Sequence, residues 1–225
     1  MLHLSTVSNI FAWLLDFIFP RRCTGCGRGG TYLCRHCLGR AEPAADSPLP
    51  ATYAAFSYHE RSIRRAIWLL KYRGVRELGE TFGGFLYERF AEEISELAAW
   101  HQGHSQPFLV IPIPQSKQRA RARGYNQAAL IALAFAHSDP AHFELGENIL
   151  VKIKDTPTQV SLKVRAERVK NLDGAFQVIE PEKIKDRQII LIDDVITTGA
   201  TVTESRKILK NAGARTIIAL AIAHG

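Results

Sequence analysis

The feature that most restricts this chain is the run QIILIDDVITTGATVTE at positions 188–204. Residues 189–192 are unbroken aliphatics, which predicts a short strand buried on both faces. Two adjacent carboxylates follow, Asp193 and Asp194, then Thr197, Thr198, Gly199, Ala200 and Thr201, and then a helix-forming segment. Strand, tight turn and helix in that order belong to an α/β sheet, where ligands sit at the carboxyl ends of the strands. A helix that begins there aims unpaired backbone N–H groups and partial positive charge at an anion. Residues 197–201 are therefore predicted to wrap a phosphate, since glycine allows close approach and threonine hydroxyls donate to phosphate oxygens. Asp193 and Asp194 would repel that phosphate, so they suit sugar hydroxyls or a hydrated magnesium ion held against a pyrophosphate. The nucleotide-triphosphate loop is excluded, because it needs a lysine where Ala200 stands. A phosphorylated receiver built on the two carboxylates would leave the threonine turn unused.

All four cysteines of the chain fall in one short stretch, Cys23, Cys26, Cys34 and Cys37. Two Cys-x-x-Cys pairs at this separation predict a closed tetrahedral zinc site, with Gly25 and Gly27 allowing the chain to turn around the metal. Such a site has no open position for water, so its role is structural, holding together a segment too small for a core of its own. Redox chemistry would need only one pair. His36 stands between two ligands and is expected to point outward. With no cysteine elsewhere, a disulfide framework for the main domain is excluded, and the cluster points to a reducing, cytoplasmic setting.

A proline-rich linker at 42–50 separates this segment from the rest, giving an N-terminal helix and zinc ribbon at 1–42 and a main domain at 51–225. Residues 2–20 are apolar, but lack a basic start and a small-residue cleavage site and are marginal for spanning a bilayer. Phe11, Leu14, Leu15 and Ile18 are spaced as on an amphipathic helix, which would pack on the body of the protein or lie on a membrane surface or partner.

In the main domain, short apolar runs alternate with helical patterns. Strands are expected at 51–58, 108–114, 148–153, 174–179 and 216–223, with helices at 62–71, 77–100, 127–136 and up to Asn211. The helix at 62–71 is expected to be capped by Ser62, and the basic side made by Arg64, Arg65, Lys71, Arg73 and Arg76 reads as a solvated face. Just past the strand ending at Pro114, a loop carries Lys117, Arg119, Arg121 and Arg123, the densest positive charge in the chain. It suits a pyrophosphate or a phosphodiester backbone. The formal charge of +7 likewise favours anionic partners without choosing among nucleotides, nucleic acid and lipid headgroups.

Residues 191–201 resemble the phosphoribosyl pyrophosphate signature of type I phosphoribosyltransferases. By that resemblance Asp193 and Asp194 would contact the ribose 2- and 3-hydroxyls, and residues 197–201 would hold the 5-phosphate. Nearly the whole chain is similar to the ComF (GntX-like) competence proteins, which join a zinc ribbon to such a domain. The likeness runs through the cysteine cluster, LKYRG at 70–74, IPIPQS at 111–116, RARGYNQ at 121–127, and Gln159 with Arg165, Arg168 and Asn171 ahead of Ala175 and Phe176. It departs where the family often carries an arginine before a Pro-Gln pair: here Lys152 and Lys154 stand in that region and Thr158 separates Pro157 from Gln159. Lysine keeps the charge but loses the bidentate fork.

The resemblance implies a mostly parallel α/β sheet flanked by helices, with a small zinc ribbon. It also implies magnesium-dependent binding of phosphoribosyl pyrophosphate, single-stranded DNA as a partner in natural transformation, and contact with DNA-uptake or recombination proteins. The alternative is an active phosphoribosyltransferase that transfers its group to a small nitrogenous acceptor and releases pyrophosphate, with Asp193 and Asp194 as the catalytic pair.

Overall fold

The computed structural model describes residues 20–99, 106–154 and 174–225. Residues 2–19, where the sequence predicts an amphipathic helix, and Gln159, Arg165, Arg168 and Asn171 lie outside the described residues.

There are seven described strands: β1 (Thr52–Ser57), β2 (Phe108–Pro112), β3 (Phe143–Leu145), β4 (Leu150–Lys152), β5 (Phe176–Val178), β6 (Gln188–Ile196) and β7 (Thr216–His224). The helices are α1 (Arg35–Arg40), α2 (Arg61–Tyr72), α3 (Glu77–Ala99), α4 (Lys117–Arg123), α5 (Gln127–Ser138) and α6 (Ala200–Asn211). Five strands make one sheet in the order β1-β7-β6-β2-β3, parallel throughout, while β4 and β5 pair antiparallel beside it.

The unbroken aliphatic runs have a simple cause, because both faces of the sheet are covered. Val110, Ile190, Ile192, Ile218, Leu220 and Ile222 point to one side, where they meet Ile63, Ile67 and Leu70 of α2, Phe82 and Leu86 of α3, and Ile131 and Phe135 of α5. Leu109, Ile111, Ile189, Leu191, Ile217 and Ala219 point to the other, against Val202 and Leu209 of α6 and Leu150 and Phe176 of the β4–β5 pair. Helices α3 and α5 approach closely at Gly83, where an added Cβ would lie 2.4 Å from the Ile131 carbonyl oxygen.

The central strand β6 hydrogen-bonds to β2 on one side and β7 on the other. The chain leaves β6 through α6 to reach β7, and leaves β2 through α4 and α5 to reach β3, so the two exits diverge. A crevice opens between such diverging connections, at the carboxyl ends of the strands. The ribbon shares the main core rather than standing apart: Cys23, Leu33 and Leu38 belong to the same apolar cluster as α2 and α3.

Candidate functional site

Strand β6 runs further than the aliphatic pattern indicates, continuing through both carboxylates to Ile196. Asp193 and Asp194 are thus fixed on a paired strand opposite β7, not on a loose turn. The Asp193 Oδ1 accepts a 2.8 Å hydrogen bond from the Asp194 backbone N–H. Asp194 is buried and lies 2.7 Å, Oδ1 to Nζ, from Lys71 at the end of α2. Burial and then the Asp194 charge push the Asp193 carboxyl up to about 7, against the pull of Lys71 and the Asp194 N–H. Burial alone would lower the Lys71 ammonium, yet Asp194 and Asp193 outweigh it and hold it above the ordinary lysine range.

The sequence places Lys71 on a solvated basic face, and the structure corrects this. The apolar stripe of α2, Ile63, Ile67 and Leu70, turns toward the sheet and brings Lys71 with it, and only a fifth of that side chain remains exposed. Its place one residue after the last stripe member was the available signal. The cap of α2 differs too: Glu60 accepts from the Ser62 backbone N–H at 3.1 Å, and Ser62 itself is buried.

The basic stretch after β2 is a helix, α4, and not a loop. Ser116 caps it by accepting from the Arg119 N–H, and Gly124, at φ 77°, ends it in the left-handed region. Asn126 then starts α5 by accepting from the Ala128 N–H, while its Nδ2 donates to the Ile113 carbonyl at 3.0 Å and pins the helix to the end of β2. Helical spacing separates the four cations. Arg119 and Arg123, one turn apart, line a cavity of about 300 Å³; Lys117 and Arg121 are exposed and off its wall. Asp193, Asp194, Thr201, Lys71 and Lys152 line the same cavity. The Arg123 guanidinium lies 4.9 Å from the Tyr72 ring centroid and donates to Gln127 Oε1 at 3.0 Å.

Four cationic side chains against two carboxylates suit a ligand that is a polyanion with hydroxyl groups. Of residues 197–201, Thr201 reaches the cavity wall; Thr197 is exposed, and Gly199 sits at φ 72° directly before α6. At twelve residues α6 is long enough to direct a helix dipole at that turn.

At the ribbon, the four Sγ atoms of Cys23, Cys26, Cys34 and Cys37 lie within 4.8 Å of one another. A zinc ion bonded to four sulfurs at about 2.3 Å needs S···S edges of about 3.8 Å. Cys34 Sγ is 3.6 Å from Cys23 Sγ and 3.7 Å from Cys26 Sγ, so the residues fit the ion. Gly25 is required here, since a Cβ would come 2.7 Å from Cys37 Sγ. Burial pushes the Cys23 thiol up, but N–H groups of Cys26, Cys34 and Gly25 outweigh it and bring it down to about 6. Cys37 is pushed up to about 12 by burial and by its thiol neighbours. His36 is exposed and outside the cluster.

Residues 125–225 match the phosphoribosyl transferase domain family. Over 201 residues the chain is 28% identical to competence protein F of Haemophilus influenzae, spanning 87% of this chain and 81% of that protein. Competence protein ComFC of Bacillus subtilis is 27% identical over 193 residues, 85% of this chain and 72% of its own length. DNA utilization protein YhgH of Escherichia coli O157:H7 is 31% identical over 115 residues, 51% of this chain and 48% of its own length. The chain thus spans about half the length of that relative.

Proposed function

We propose that this chain, a ComF-like competence protein with a type I phosphoribosyltransferase-like fold, binds phosphoribosyl pyrophosphate and single-stranded DNA in the course of DNA uptake. The observation that carries the reading is one cavity at the diverging strand ends, holding Asp193 and Asp194 beside Lys71, Arg119 and Arg123. The carboxylates take the ribose hydroxyls, residues 197–201 at the start of α6 take the 5-phosphate, and the cations of α2 and α4 face the pyrophosphate. A hydrated magnesium ion held by Asp193 and Asp194 would neutralise part of the pyrophosphate charge. The exposed pair Lys117 and Arg121 lies on the outer side of α4, available to a phosphodiester backbone. The four thiols hold a structural zinc that fixes the ribbon on α2 and α3.

The carboxylate pair facing an accessible cavity also favours a second reading, an active transferase. An acceptor nitrogen would bond to the ribose C1 as the bond to the pyrophosphate oxygen breaks, pyrophosphate leaving with the electron pair. Catalysis would come from positioning and from charge placed around C1. Two assays test these readings. Oligonucleotide binding that weakens steeply with salt supports the DNA role, and absent or salt-insensitive binding contradicts it. Pyrophosphate release with an acceptor, abolished by Asp194→Asn, supports transfer; no release across a broad panel of bases and amines contradicts it.

A further inference from the structure

The proposed function leaves one surface without a role. Helix α2 turns one face toward the ribbon, and along it Arg61, Arg65, Trp68 and Tyr72 recur at helical spacing, with Arg64 beside them. Together with Thr24 and Gly25 of the ribbon they line a groove of about 740 Å³. Trp68 is 48% exposed and Tyr72 60%, large values for rings whose neighbours Ile67 and Leu70 are fully buried. Their ring centroids are 6.0 Å apart, tilted by 43°. All three arginines are exposed. The acidic residue of this wall, Glu60, is engaged by the Ser62 backbone N–H and hydroxyl at 3.1 and 3.0 Å.

We infer that this groove is where single-stranded DNA lies, with bases stacked on Trp68 and Tyr72 and phosphates neutralised by Arg61, Arg64 and Arg65. The inference rests on the DNA-binding part of the reading above and deepens it, moving the principal contact from the outer side of α4 to α2. Cations next to solvent-facing aromatic rings are the chemistry of single strands, because only an unpaired base offers its face for stacking. The stripe from residue 61 to 72 is about 16 Å long at 1.5 Å per residue. That is room for four or five nucleotides at about 3.4 Å each.

The groove also adjoins the other site. Lys71 and Tyr72 line both it and the cavity that holds Asp193 and Asp194. Tyr72 carries the Arg123 guanidinium against its ring, and Lys71 is paired with Asp194. A strand stacked on Tyr72 therefore bears on Arg123, and one that reaches Lys71 bears on the partner of Asp194, a route for coupling between the two ligands.

The test is fluorescence anisotropy of a labelled oligothymidine against the full chain over a range of salt concentrations, using Trp68→Ala, Trp68→Phe, Arg65→Ala and Arg121→Ala. Trp68→Ala is expected to weaken binding about tenfold or more with the salt slope unchanged, and Trp68→Phe to restore most of it by keeping a ring. Arg65→Ala is expected to lower the slope by about 0.7. A duplex of the same sequence should bind more weakly and ignore Trp68. Zinc content should stay at the wild-type value in all four variants, and so should the melting temperature of Arg65→Ala and Arg121→Ala, whose side chains are exposed; Trp68→Ala, which loses a half-buried ring, is assayed well below its own melting temperature. If the oligonucleotide binds wild type and Trp68→Ala equally well, the groove assignment falls while the DNA role stands. If wild type binds no oligonucleotide, both fall. A loss in Trp68→Ala that Trp68→Phe does not restore, with both variants folded at the assay temperature, also overturns stacking.

Discussion

The ribbon thiols and the Asp193–Asp194 pair are both crowded groups that repel one another once ionised, and the fold handles them in opposite ways. At the ribbon, four sulfurs converge on one point from a short piece of chain, with sulfur separations that match a tetrahedron. A zinc ion that fits them would have to come from outside, and bound there it would have no vacant position. At the strand ends, the compensating cation is the protein's own Lys71, on a helix more than a hundred residues away in sequence, and only one carboxylate is paired directly with it. Asp193 keeps a raised proton affinity and a face on the cavity. A closed cluster suits a structural role, and a half-compensated one suits the binding of a ligand.

The largest expected effect is on the closed cluster. Cys34→Ser should abolish the single equivalent of zinc and release Leu33 and Leu38 from the core. That is a loss of several kcal/mol, or roughly 10 °C in Tm for a chain of this size. Metal analysis with thermal melts checks it, and a zinc-free wild type of unchanged Tm would erase the contrast between the clusters. Next is the internal cation. Lys71→Met strands Asp194 and should cost about 2 kcal/mol, allowing for the partial exposure of the pair. The double variant Lys71→Met with Asp194→Asn should recover much of this in urea unfolding, which shows that the cost is the unpaired charge.

The pH dependence sharpens the comparison further. A carboxyl near 3.9 in the unfolded chain and about 7 in the folded one means that the folded state binds more protons between those values. Stability present below pH 4 is therefore lost as pH rises toward 7, and Asp193→Asn should remove this slope and be more stable than wild type at pH 8. Melts across that range decide it; parallel slopes in both proteins would show that Asp193 ionises normally. The smallest effect concerns α4. Arg119→Ala should weaken phosphoribosyl pyrophosphate about tenfold, while Arg121→Ala leaves it unchanged, because Arg119 lines the cavity and Arg121 does not.

The aliphatic strand, the turn and helix that follow it, and the cysteine cluster were legible in the sequence because each is a local pattern with a local cause. Lys71 was not, since a lysine at the end of an amphipathic helix reads as solvated until the sheet position of Asp194 is known. Nor was the division of Lys117, Arg119, Arg121 and Arg123: read as a loop they are equivalent, and only the Ser116 cap and the Gly124 stop make them a helix with two sides. The capping signal was present, but the strand-end prolines before it suggested irregular chain. The shared core of ribbon and main domain depends on contacts between Leu33, Leu38 and helices far along the chain, which periodicity does not report.

The most direct test of the account is calorimetric titration of the full chain with phosphoribosyl pyrophosphate and magnesium, with and without bound oligothymidine. The account predicts one site, lost in Asp193→Asn and Asp194→Asn, tightening as pH rises to 7, with an affinity that changes when the oligonucleotide is present. Absence of binding in wild type, or binding indifferent to both carboxylates, would contradict it.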